Sequence, residues 1–117
     1  MTSKIRIPTF DATVVFVRNV DRKRLQRYLK REYSYEIENL DDEFSGIAAE
    51  LGNMTWLIYI PDTNYEDDLV WLVRTLSHEA NHVALQMMKK LGVEDDETIC
   101  YTQDNLLGEL MKRCIKK

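Results

Sequence analysis

The sequence predicts a single small α+β domain in the order β-α-β-β-α-α, and three observations carry that reading. Thr55-Trp56-Leu57-Ile58-Tyr59-Ile60 is an unbroken β-branched and aromatic run that Pro61 stops, the pattern of a buried strand. Downstream, apolar residues from Leu69 to Leu91 recur at helical spacing over a long stretch closed by Gly92. The 117 residues give room for one domain, 1–117, and 44% hydrophobic residues provide its core.

The elements follow in chain order. Residues 13–17 are β-branched and aromatic and read as the first strand. Asp21 reads as an N-cap opening a helix to about Tyr33, with Leu25, Tyr28 and Leu29 on one face. The rest of that helix carries Arg22, Lys23, Arg24, Arg27, Lys30 and Arg31, and an acidic stretch follows it: Glu36, Glu38, Asp41, Asp42 and Glu43. The plain reading is a solvated face balanced by those acids; the functional one is docking of an acidic partner on helix 21–33. Segments 46–51 and 54–60 flank Gly52-Asn53 as a hairpin. Thr63 and Glu66 form a capping-box pattern that opens the long helix. Leu69, Leu72, Val73, Leu76, Ala80, Val83, Ala84, Met87 and Leu91 make its core face, with Met87 and Met88 as core filler rather than a metal-binding pair. After a charged loop at 93–96, a last helix runs from about Glu97 to Cys114, with Ile99, Gln103, Leu106, Leu110 and Cys114 on its main apolar face.

Composition excludes several function classes. A net charge of −4 and a pI near 5.2 argue against a general nucleic-acid binder and give no attraction to an anionic membrane. Residues 1–8 lack the apolar segment of a secretory signal, and the longest apolar runs, 14–17 and 56–60, fall far short of the ~20 residues a membrane span needs. Cys100 and Cys114 stand on one expected helix about 21 Å apart, too far to bridge, so they read as reduced, half-buried packing residues of a cytoplasmic protein.

His78-Glu79-Ala80-Asn81-His82 carries the chemistry. Residues i and i+4 share a helix face one turn apart, so both imidazoles can reach one ion at about 2.0–2.1 Å. Glu79, rotated ~100° from His78, can accept a proton from water on that ion without being a ligand. These are the only two histidines in the chain. The bland reading is an exposed histidine pair with an ordinary glutamate between them. A zinc site with an open position takes three protein ligands, and no third histidine or suitable cysteine exists, so the third is expected to be a carboxylate. Glu94, Asp95, Asp96 and Glu97 are available where the last helix begins, although acids there also serve to cap the helix. Periodicity does not choose between Asp96 and Glu97. The longer Glu97 is better suited to span two helices, and the shorter Asp96 suits the N-cap.

The HExxH motif at 78–82 followed by Asp96-Glu97-Thr98-Ile99-Cys100-Tyr101 resembles the small zincin-like metallopeptidases often encoded by bacteriophages, and is similar in layout to minimal gluzincins. The resemblance covers roughly residues 55–110. It implies a zincin-like active-site helix packed against a short sheet, zinc as the cofactor, Glu97 as third ligand, and Cys100 as the small residue that lets two helices approach. Larger gluzincins carry an Asp four positions after the glutamate ligand; Tyr101 stands there instead, where the phage pattern commonly has an aromatic. Its hydroxyl is the expected helper on the oxyanion side, against the alternative of a ring packed between helices.

The expected function is zinc-dependent hydrolysis of peptide bonds in a peptide or an unfolded protein segment, with no nucleic acid and no membrane involved. A domain without a second lobe suits an extended substrate, and strand 54–60 is the expected platform for it. The competing expectation is a non-catalytic interaction protein on a zincin scaffold, binding a host or partner protein. A cell-wall amidase ranks below both, for want of an export signal.

Overall fold

Two strands that are apolar on both faces, β2 (Ala12–Arg18) and β4 (Thr55–Ile60), pair in parallel at the centre of a four-stranded sheet. The computed structural model describes residues 2–37, 46–61 and 68–115. Val14, Val15 and Phe16 of β2 and all of Trp56 to Ile60 are buried, as strands covered on both sides require. The outer strands are antiparallel: β1 (Thr2–Ile7) beside β2 and β3 (Ile47–Gly52) beside β4, giving the order β1-β2-β4-β3.

The expected β-α-β-β-α-α order is present, preceded by β1. That strand alternates Ile5 and Ile7 with Lys4 and Arg6, and only Ile5 is fully buried, so its period-two signal is short.

Helix α1 (Arg22–Tyr33) is capped by Asp21, which accepts from the Arg24 amide at 2.7 Å. It lays Leu25 and Leu29 on Val15, Val17, Leu57 and Tyr59. Helices α2 (Leu69–Leu91) and α3 (Asp96–Ile115) cover the opposite face, where Leu72, Leu76, Ala80, Val83 and Met87 meet Phe16, Trp56, Ile58 and Ile60. The result is three layers, α1 on one side and the α2–α3 pair on the other. The aromatic polar ends are satisfied: Trp56 Nε1 donates to Gln86 Oε1 at 3.1 Å, and the Tyr59 hydroxyl donates to the Val20 carbonyl at 2.8 Å.

Several expectations need correction. The strand expected as a substrate platform, β4, is interior, because the parallel pairing with β2 occupies its second side. The edge strand beside α2 is β3. The hairpin turn sits one residue later than expected: Asn53 and Met54 both take left-handed φ, 52° and 54°, as a type I′ turn requires. Helix α2 opens at Leu69, with Asp68 accepting from the Trp71 amide at 2.9 Å; the Thr63–Glu66 pattern lies outside the described residues. Leu69, Val73 and Leu91, expected in the core, are exposed. A 23-residue helix is about 34 Å long and a six-residue strand about 20 Å, so the ends of α2 overrun the sheet. Met87 and Met88 are core filler, fully buried. Cys114 packs against the core while Cys100 is exposed, and neither is in a disulfide. Among the described residues, no helix is long and apolar enough to cross a membrane.

Candidate metal centre

The buried side chains of α2 set the phase of the helix, and that phase decides what the motif faces. Leu76 and Ala80 point into the core, so His78, two residues from each, turns outward, and His82 follows it one turn later. Glu79 lies at the margin of the buried face, with only 6% of its surface exposed.

The metal-capable atoms of His78, Glu79 and His82 lie within 4.8 Å of one another, and among the described residues no other His, Cys, Asp or Glu joins such a group. The two Nε2 atoms are 3.1 Å apart, with the rings at 86° to each other. An ion about 2.0–2.1 Å from both nitrogens would see them at an angle of roughly 100°, close to tetrahedral. The donors therefore fit a metal ion.

Burial pushes the Glu79 carboxyl above its ordinary range, and the neighbouring histidines, His78 first, act against that rise. The backbone just before β3 comes close to this carboxylate. A Cβ placed on Gly46, at the entry to that strand, would sit 3.1 Å from Glu79 Oε2 and 3.1 Å from Thr75 Cγ2. Only a glycine brings the backbone this close without displacing the carboxylate. Further along β3, Ala48 packs into the α2 core and Glu50 pairs with Lys90, which fastens the edge strand along the helix.

The cluster opens into a cleft of about 700 Å³ lined by Gly46, Trp71, Arg74, Thr75, His78 and Glu79, among others. Arg74 lies one turn before His78 on the same face, is exposed, and makes no ion pair or hydrogen bond among the described residues. Sequence reasoning missed both Gly46 and Arg74. The i−4 spacing of Arg74 from His78 was legible; the role of Gly46 depends on a tertiary contact that no local pattern carries.

The α3 residues behave differently. Asp95 accepts from the Thr98 amide at 3.3 Å and from the Thr98 hydroxyl at 2.7 Å, and its carbonyl takes the first helical bond, from Ile99. Asp95, and not Asp96, is thus the N-cap, and those hydrogen bonds hold its carboxyl below the usual range. Ile99 packs on the core and fixes the phase of α3; Glu97, about 200° away around the helix, is exposed and does not gather with the histidines. Tyr101 is 63% exposed, so it is not a ring packed between helices. It lines a groove with Arg6, Pro8 and Phe10 that shares no described lining residue with the cluster's own cleft.

No family model matches this chain, and neither a curated protein nor a solved structure does.

Proposed function

We propose that this protein is a zinc-dependent hydrolase of peptide bonds, with His78 and His82 as two of the metal's protein ligands, Glu79 as general base, and the third ligand supplied from outside the cluster that the described residues form. The observation that carries the proposal is a buried carboxylate beside two converging imidazole nitrogens, with Glu79 and His78 on the wall of an open cleft. Zinc held there supplies Lewis acidity, which polarises a carbonyl and brings the pKa of water towards ~7.

The remaining work falls to the chain itself. Glu79 takes the proton of the attacking water and passes it to the nitrogen of the leaving amine. Its desolvation makes it more basic than a surface carboxylate and so a better match for that task near neutral pH. Gly46 lets the backbone of the edge strand close one side of the carboxylate to solvent. Arg74 brings a cation to the same cleft, where it can stabilise the negative charge that develops on the carbonyl oxygen. The cleft is open and bordered by the entry to β3, a strand paired on one side only among the described residues, which suits an extended peptide held by main-chain hydrogen bonds.

Among the described residues Glu79 is the one carboxylate that gathers with the histidines, and one variant separates its two conceivable roles. Untagged wild-type protein should contain about one zinc per chain and cleave unstructured peptides. Glu79→Gln should keep the metal and lose turnover by at least ~100-fold. Loss of metal together with activity would make Glu79 a ligand instead of a base, and a wild type free of metal would end the hydrolase reading.

A further inference from the structure

The face of the molecule opposite α2 has a charge distribution that the metal centre does not explain. Helix α1 carries Arg22, Lys23, Arg24, Arg27, Lys30 and Arg31 against one acid, Glu32, while the chain as a whole nets −4; everything outside α1 therefore nets −9. Lys30 and Arg31, in the last turn, suit the helix dipole, but the cations of the first turn are placed against it. Arg22, Lys23 and Arg24 sit on the positive pole of the helix, whose first turn holds no acidic residue. Lys23 and Arg27, and again Arg27 and Arg31, are like charges at i,i+4, which repel. Where a sequence breaks local rules repeatedly on one helix, the cause is commonly functional.

Arg22 has an interaction of its own, but most of the other cations have none in the described structure. Lys23, Arg24, Arg27 and Lys30 make no ion pair there, and Arg31 pairs only with its exposed neighbour Glu32. Arg24, Arg27 and Arg31 instead converge on one cleft of about 420 Å³, with Tyr28 between them and Thr2 at its edge. Arg31 lies 5.9 Å over the Tyr28 ring, which orients its guanidinium. Partial burial and the neighbouring Tyr33 push the Tyr28 hydroxyl up to about 12, so it stays protonated and can donate.

We propose that this cleft docks an acidic polypeptide segment, whose carboxylates pair with Arg24, Arg27 and Arg31. Guanidinium forks match carboxylates in bidentate geometry. From Arg24 to Arg31 is about 10 Å of helix, the length of three extended residues, so a short run of Asp and Glu fills the site. The same dimensions disfavour nucleic acid: a longer phosphate backbone would run off α1 onto a body of opposite preference, at −9. Because α1 and α2 cover opposite faces of the sheet, a docked segment leaves the metal cleft open.

The test is fluorescence anisotropy on the full chain with a labelled hexapeptide of alternating Asp and Glu. Controls are its Asn/Gln counterpart and a single-stranded oligonucleotide of equal charge. The acidic peptide should bind and weaken as salt rises, and the neutral one should not bind. The triple variant Arg24→Gln, Arg27→Gln, Arg31→Gln should weaken binding at least tenfold with an unchanged circular dichroism spectrum. Arg27→Lys, which keeps the charge and removes the fork, should show a smaller loss. No binding by wild type, binding indifferent to the triple variant, or tighter binding of the oligonucleotide would each overturn the proposal.

Discussion

The middle of α2 and the first turn of α3 both concentrate metal-capable side chains, yet they are built for different work. On α2, two imidazoles and a buried carboxylate share one small volume, walled by the edge strand at Gly46. On α3, Asp95, Asp96 and Glu97 face solvent, and Asp95 spends its oxygens on the start of its own helix. The α2 group gathers because one helix's 3.6-residue period brings i and i+4 together and the sheet then desolvates the residue between them. The α3 acids complement a helix dipole, which needs exposure and no partner element. A cluster of acids in a sequence is thus ambiguous in a way that a one-turn histidine pair is not.

The contrast can be broken most forcefully at Glu79. Its replacement by Gln should lower peptide hydrolysis at least ~100-fold, the usual scale for a lost general base, while a melt shows an intact fold. A variant with near wild-type turnover would make the α2 group as ordinary as the α3 acids.

Gly46→Ala probes the wall rather than the base. A Gly→Ala change that the backbone tolerates normally stabilises a little, but here the added methyl meets Glu79 and Thr75 at 3.1 Å. The expected result is a loss of about 1–3 kcal/mol together with reduced turnover, read from denaturant melts and peptide assays. A variant as stable and active as wild type would show that β3 does not press on the carboxylate.

On α3, Asp95→Ala should lower the melting temperature while Asp96→Ala should not. Hydrogen bonding depresses the Asp95 carboxyl in the folded state, so its stabilisation is present above the ordinary unfolded value of about 3.9 and disappears as pH falls through the lower folded value. The two variants should therefore differ at pH 7 and converge in strong acid; equal melts at pH 7 would remove Asp95 from the cap. Smallest of all is Tyr101→Phe. With a side chain 63% exposed in a groove of its own, it should change stability by less than about 0.5 kcal/mol and leave turnover untouched. A clear fall in turnover would bring Tyr101 back to the active site.

How much of this was legible in the sequence follows from the range of each interaction. The His78–Glu79–His82 geometry lies within five residues of one helix, so spacing alone specified it. The central strands β2 and β4 announced themselves because burial on both faces makes them continuously apolar. Their neighbours were another matter. Whether strand 54–60 was an edge or an interior strand depended on its pairing with β2, some forty residues away, and no local pattern encodes that. The same holds for Gly46 against Glu79. Glu97 failed to gather with the histidines for a related reason: its direction is set by where Ile99 packs, and that is a property of the α2–α3 contact, not of the loop that offered four acids in a row.

The central claim is that the metal is held by the α2 group and not by the α3 acids. Zinc content of untagged protein, measured during titration with a chelator, tests it in three chains side by side: wild type, His82→Ala and Glu97→Ala. The account predicts about one zinc in wild type, little or none in His82→Ala, and a Glu97→Ala variant that gives up its metal at the same chelator concentration as wild type. Full zinc in His82→Ala, or loss of zinc from Glu97→Ala, would contradict it.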